Sequence, residues 1–133
     1  MKIILDTNIY ISAFIFEGFL AKVFDYCLKN EKTYPSEYIL SEFSSKVIHK
    51  FKTPKHVCEA IIWTIRENVF IVTPNNPIPT ICRDADDNNI LQLAQFVEAD
   101  FIVTGDKDLL ILETFGSTQI VTPRLFYDTF IVK

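Results

Sequence analysis

Glycine is scarce in this 133-residue chain, which has only Gly18, Gly105 and Gly116. Three isolated glycines can form neither a P-loop nor a G-x-G-x-x-G turn, so the backbone cradles that hold nucleotide phosphates are excluded. No G-x-S-x-G elbow or Cys–His pairing marks a nucleophilic hydrolase. Cysteine is equally sparse: Cys27, Cys58 and Cys82 are odd in number and form no C-x-x-C pair. That argues against a disulfide framework or a thiolate zinc site and predicts reduced, mostly buried thiols. His49 and His56 have no third ligand to complete a zinc site. No apolar run approaches the ~18 residues of a membrane span. Asp6 interrupts Ile3-Ile4-Leu5 before it can act as a secretory core, so a cytoplasmic location without membrane association is expected.

Positive charge is also in deficit. Lys plus Arg is 13 against 17 for Asp plus Glu, a formal net charge of −4, which disfavours a generally cationic nucleic-acid binder. The distribution says more than the total. Asp84 to Asp108 holds seven acids and one base, Lys107, whereas Phe43 to Cys58 holds four lysines, two histidines and no acid. One region attracts cations and the other anions. With 49% hydrophobic and 23% charged residues, the chain is too apolar for a disordered tail. Its length suits a single domain over residues 1–133.

Lys2–Leu5 reads as a buried strand that stops at the polar loop Asp6-Thr7-Asn8, and Phe19–Leu28 has helical apolar spacing. After Tyr34-Pro35, Ser36 or Ser41 caps a helix carrying Ile39, Phe43, Val47, Ile48 and Phe51. Thr53 as N-cap and Pro54 at the first helical position open the next helix, through Ile65. Val69–Val72 is a second strand candidate, followed by a proline-rich loop, and Asp84–Asp87 precedes a helix through Val97. Phe101–Val103 and Gln119–Thr122 are the third and fourth strands, and Pro123 opens a last helix through Phe130. Apolar strands alternating with helices predict an α/β fold with a central parallel sheet.

Asp6 and Asp106 each follow a strand, and functional groups in such sheets gather beyond the carboxyl ends of the strands. Asp84 and Asp87, three residues apart at a helix start, offer a third acidic element. Carboxylates crowded together repel unless a cation enters, and hard oxygen donors without histidine or thiolate suit Mg²⁺ or Mn²⁺. The implied chemistry is metal-assisted hydrolysis of a phosphodiester. From local pattern alone, Glu42 is a surface acid and an i,i+4 partner of Lys46.

Leu5-Asp6-Thr7-Asn8, Ser41-Glu42, Arg83-Asp84-Ala85-Asp86-Asp87-Asn88 and Val103-Thr104-Gly105-Asp106-Lys107-Asp108-Leu109-Leu110 stand in this order along the chain. In that order they resemble the PIN-domain family, and within it the toxin components of prokaryotic toxin-antitoxin systems. The resemblance implies a three-layer α/β/α sandwich, a Mg²⁺- or Mn²⁺-dependent endoribonuclease, RNA as substrate and a cognate antitoxin as partner; a homodimer is a further expected assembly. Carried over, Asp6, Glu42, Asp87 and Asp106 match the acidic quartet as catalytic and metal-binding residues, and Asn8 and Thr104 match its supporting positions. Asn88 stands where some relatives carry another Asp, which leaves Asp84, Asp87 and Asn88 as alternatives for the third ligand; Asp108 joins the supporting set. Val97-Glu98-Ala99-Asp100 lacks the glycine usual before the strand, a change at a turn. Lys46, Lys50 and Lys107 are the candidates for RNA phosphate contacts.

Two other classes compete. A PIN-like module could hold RNA or an antitoxin without cutting, using any of Tyr10, Phe14, Phe16 and Phe19 that lie exposed for a dimer or a partner helix. An acidic phosphoacceptor domain would use Thr104 and Lys107 beside its aspartates.

Overall fold

The computed structural model describes residues 1–16 and 18–132. Strand β1 (Lys2–Leu5) has Ile3, Ile4 and Leu5 fully buried. Neighbouring side chains of a strand point to opposite faces, so both faces of the sheet are covered here. Helix α1 (Thr7–Ile15) starts directly after Asp6, which corrects the expected polar loop at Asp6-Thr7-Asn8. The Asp6 N–H donates to the Val103 carbonyl at 3.1 Å, ending the strand as the first helical turn opens. The segment is rich in β-branched residues, so burial of Thr7, Ile9, Tyr10 and Ile11 holds this helix more than propensity does.

Helix α2 (Phe19–Asn30) packs on α1 through edge-to-face contacts of Phe24 with Tyr10 and Phe14, at centroid distances of 5.2 and 5.4 Å. A two-residue strand, β2 (Lys32–Thr33), follows, and then helix α3 (Glu37–His49). Of the two serines considered as its cap, Ser36 serves: its Oγ accepts from the Ile39 N–H at 3.2 Å. Helix α4 (Lys55–Arg66) has Pro54 at the N-cap, one residue off the Thr53 cap expected, and the Thr53 N–H closes back on the Val47 carbonyl of α3 at 3.0 Å.

Val69–Val72 is not a strand. Its Phe70 and Val72 N–H groups donate to the Thr33 and Pro35 carbonyls, but only one isolated bridge, Ser36 with Val72, forms. β2 is too short to template a ladder, and Pro74 follows at once. Helix α5 (Ala85–Val97), strand β3 (Phe101–Val103), helix α6 (Lys107–Leu110), the hairpin β4 (Thr114–Phe115) to β5 (Thr118–Val121) and helix α7 (Pro123–Phe126) complete the chain. Thr122 caps α7, accepting from the Leu125 N–H at 3.0 Å, with Pro123 at the start as expected. A π-helical turn continues it over Tyr127–Ile131.

The sheet order is β2-β1-β3-β5-β4, parallel except for the β4–β5 hairpin. The α/β fold with a central parallel sheet expected from the alternation is therefore present, with one antiparallel edge. The chain leaves β1 toward β2 on one side, and β3 later docks on the other. That reversal opens a crevice beyond the carboxyl ends of β1 and β3. Leu5 stands opposite Val103 in register, so Asp6 and Thr104 emerge side by side. Cys27 and Cys58 are buried free thiols and Cys82 is half-buried. Among the described residues, no helix is long and apolar enough to cross a membrane.

Glu98 ends α5 with φ 56 and ψ 55, the left-handed conformation that favours glycine, while the Ala99 N–H closes back on the Ala94 carbonyl at 2.9 Å. The missing family glycine thus falls on a strained position. Glu98→Gly is expected to stabilise the protein by about 1 kcal/mol, read as a raised melting temperature; an unchanged or lowered value would show that the side chain compensates the strain.

Candidate active site

Asp6 and Asp106 are joined through one hydroxyl. Thr104, fully buried at the end of β3, donates from Oγ1 to Asp6 Oδ2 at 2.7 Å and accepts from the Asp106 N–H at 3.0 Å. Asp106 is the N-cap of α6, where its Oδ1 accepts from the Asp108 N–H at 2.8 Å. Burial raises the Asp6 carboxyl above its ordinary range and the charge of Asp106 adds to this; the Thr104 hydroxyl and the first-turn N–H groups of Asn8 and Thr7 offset it in part. Asn8 contributes here through its backbone, and its residue is exposed.

Asp87 arrives from the first turn of α5 and is 5% exposed. One carboxylate oxygen from each of Asp87, Asp106 and Asp108 falls within 4.8 Å of the others. Asp87 Oδ2 is buried and has no hydrogen-bond partner among the described residues. Burial, then the charge of Asp106, then Asp84 and Asp6 push its carboxyl up to about 7. A buried orphaned oxygen facing other carboxylates is what a bound cation would satisfy. The donors at this point are hard oxygens. Burial and the neighbouring aspartates raise the Cys82 thiol above its ordinary range.

The alternatives at the third motif have different local roles. Asp84 is exposed and caps α5, its Oδ1 accepting from the Asp86 N–H at 2.9 Å. Asn88 uses both ends of its amide on Cys82, with the Cys82 N–H and carbonyl each at 2.9 Å, and so pins the loop before α5. Asp87 alone of the three is buried with a free oxygen.

Glu42, on α3, meets a different acid. It faces Asp86: burial and then Asp86 raise the Glu42 carboxyl, whereas Glu42 and the Tyr38 hydroxyl lower Asp86. The Tyr38 hydroxyl also donates to Asp86, one turn along α3 from Glu42. Lys46 lies 3.9 Å from the Glu42 carboxylate. Lys50 sits at the end of α3 with its ammonium over the Phe51 ring at 5.7 Å, and Lys107 is exposed at the start of α6.

Sequence reasoning did not single out Asp86, Tyr38 or Arg83. The signal was present: Tyr38 and Glu42 are i,i+4 on one helix, and Asp86 stands inside the acidic motif. Arg83, largely exposed, forms a two-contact pair with both Asp108 oxygens at 2.9 and 3.0 Å. Of the aromatics proposed for an exposed contact, Tyr10 is fully buried, Phe14 and Phe19 are half-buried, and Phe16 is exposed.

A model of the PIN domain matches residues 2–108. An uncharacterized protein of Methanocaldococcus jannaschii, MJ1680, is 29% identical over 144 aligned residues, covering 98% of this chain and 92% of its own. The structure of VapBC2 from Rickettsia felis, bound to a DNA fragment from its promoter, superposes with a TM-score of 0.68 at 14% identity, covering 92% of this chain and 98% of that one. FitAcB from Neisseria gonorrhoeae superposes with a TM-score of 0.60 at 17% identity, with coverage of 92% and 98%. At these identities the two structures speak to the fold.

Proposed function

The chain belongs to the PIN-domain family, and from that premise we propose that it is a divalent-metal-dependent endoribonuclease, the toxin component of a toxin-antitoxin system held in check by a cognate antitoxin. The observation that carries the reading is Asp87: a buried carboxylate with an unpartnered oxygen, grouped with Asp106 and Asp108 and electrostatically coupled to Asp6. The motif order and the superposition on VapBC2 and FitAcB support the toxin role.

Asp6, Asp87 and Asp106 would hold Mg²⁺ or Mn²⁺, with Glu42 completing the set directly or through water. A bound ion of this kind lowers the pKa of water and offsets charge developing on the phosphate. Thr104 holds the Asp6 carboxylate and the Asp106 backbone through its single hydroxyl, and the Asp108 N–H orients the Asp106 carboxylate. Glu42, whose carboxyl is raised above its ordinary range by burial and by Asp86, is the residue we assign to proton exchange during hydrolysis. The test is cleavage of structured and single-stranded RNA with Mg²⁺, with Mn²⁺ and with EDTA. Cleavage by the purified protein that EDTA abolishes is expected; RNA left intact under all three conditions overturns the reading in favour of a non-catalytic module.

An acidic nuclease must dock an acidic polymer through local charge. Lys46 and Lys50 continue the line of Glu42 along α3 at i+4 and i+8. The Lys46→Ala, Lys50→Ala double variant is expected to bind RNA more weakly at low salt, with a log-log salt slope shallower by roughly 1 to 2. A slope equal to the wild type's would place the phosphate path elsewhere.

A further inference from the structure

Beside the acid site lies a cleft of about 160 Å³ between α3 and α5, lined by Ser36, Glu37, Tyr38, Thr73, Pro74, Asn89 and Gln92. Tyr38 joins the two places: its hydroxyl reaches Asp86, the partner of Glu42, and its side chain forms a wall of the cleft. The Tyr38 residue is 42% exposed, so an aromatic surface tethered at its hydroxyl end is open to a ligand.

The chemistry of the cleft is selective. None of its lining residues is basic, so it is no seat for a phosphate. Its two amides are held in fixed orientation. Gln92 Nε2 donates to the Asn76 carbonyl at 2.7 Å and Asn89 Nδ2 to the Ala85 carbonyl at 2.8 Å. A carbonyl can only accept, so these contacts assign both amide nitrogens and leave Gln92 Oε1 and Asn89 Oδ1 as the oxygen ends. Neither oxygen accepts a hydrogen bond among the described residues. Asn76, which also donates to the Gln92 carbonyl and to Gln95 Oε1 at 3.2 Å each, ties the proline-rich loop to α5 and keeps this wall in place. Glu37 adds a further acceptor, already paired with Arg66.

We propose that this cleft is a nucleobase subsite, in which the base of a nucleotide near the scissile phosphate stacks on Tyr38 and presents an amino group to Asn89 and Gln92. Every base has a π face, so stacking supplies affinity, and the acceptors supply choice. Adenine, cytosine and guanine carry an exocyclic amino donor. Uracil presents one N–H between two carbonyls and meets like oxygens across the cleft, so it is disfavoured. The substrate is then single-stranded or unpaired RNA, because a base held in a duplex has its edge occupied. This inference rests on the endoribonuclease reading.

The experiment maps the ends produced from a random-sequence single-stranded RNA pool with Mn²⁺, together with kcat and KM on a preferred oligonucleotide and its uridine-substituted counterpart. For the wild type, one position at a fixed distance from the cut should be depleted of U. Tyr38→Ala should raise KM by about tenfold and erase that depletion. Tyr38→Phe, which keeps the ring, should retain it whatever happens to kcat, and Asn89→Ala should flatten it with a smaller effect on KM. Wild-type cleavage with no base preference, or a preference unchanged in both Tyr38→Ala and Asn89→Ala, overturns the subsite and leaves the nuclease standing. Absence of any cleavage by the wild type removes both.

Discussion

Asp106→Asn and Asp6→Asn are expected to lower metal-dependent RNA cleavage by at least ~100-fold while leaving the fold intact. Asparagine keeps a side-chain oxygen at each position. It can still cap α6 by accepting from the Asp108 N–H and can still accept from Thr104. What it removes is the negative charge. Asp84→Asn is the matched control, since Asp84 is an exposed cap whose oxygen is spent on the Asp86 N–H, and asparagine caps a helix equally well. Initial rates on a fluorogenic RNA, with circular dichroism of each variant, decide the matter. If Asp84→Asn falls as far as Asp106→Asn, the acid of the third motif is Asp84 and the role given to Asp87 is wrong.

Asp87→Asn is expected to stabilise the metal-free protein at pH 7 by on the order of 2 kcal/mol, a rise of roughly 8 °C in melting temperature. In the fold, the Asp87 carboxyl titrates at about 7, against about 3.9 in an unfolded chain. Between those values the folded protein retains a proton that the unfolded chain releases, so wild-type stability falls as pH rises through this window. The variant has no such group, so its advantage should be present near pH 7 and vanish near pH 4. Mn²⁺ should raise the melting temperature of the wild type and do so less in the variant. Thermal melts at several pH values, each with EDTA and with Mn²⁺, give the answer. An Asn variant less stable than wild type at pH 7 without metal would show that Asp87 is held by contacts that favour its charge.

The parts of this architecture that were legible in the sequence have strong local signals. Lys2–Leu5 and Phe101–Val103 are apolar runs that stop at acids, and Asp6 and Asp106 do meet in one crevice because β1 and β3 are neighbours in register. Helix α5 announced itself by its acidic first turn and Thr122-Pro123 by its capping chemistry. The two-residue strands β2 and β4 are too short to show any period. Helix α1 was hidden because Thr7, Ile9, Ile11 and Ile15 favour strands locally, and only packing against Phe24 and Phe43 makes the segment helical. Val69–Val72 misled in the opposite direction: its composition suits a strand, yet Phe70 is exposed and the edge beside it offers almost no partner. Glu42 was placed by motif alone. Its pairing with Asp86 depends on how α3 and α5 converge, which no spacing along one helix encodes.

The Thr104 bridge gives this molecule a property of assembly as well as of chemistry. Its hydroxyl reaches Asp6 from 98 positions away and also holds the Asp106 backbone, while Glu42 and Asp87 come from two further stretches of chain. On a ribosome, the first hundred residues can emerge with Asp6, Glu42 and Asp87 already made but without the strand that sets Asp6 in place. Heat, proteolysis or premature termination that removes β3 scatters the carboxylates into ordinary solvated acids. Any activity that depends on these acids meeting is thereby confined to the finished form, and its loss on partial unfolding should track loss of β3 docking rather than loss of any single helix.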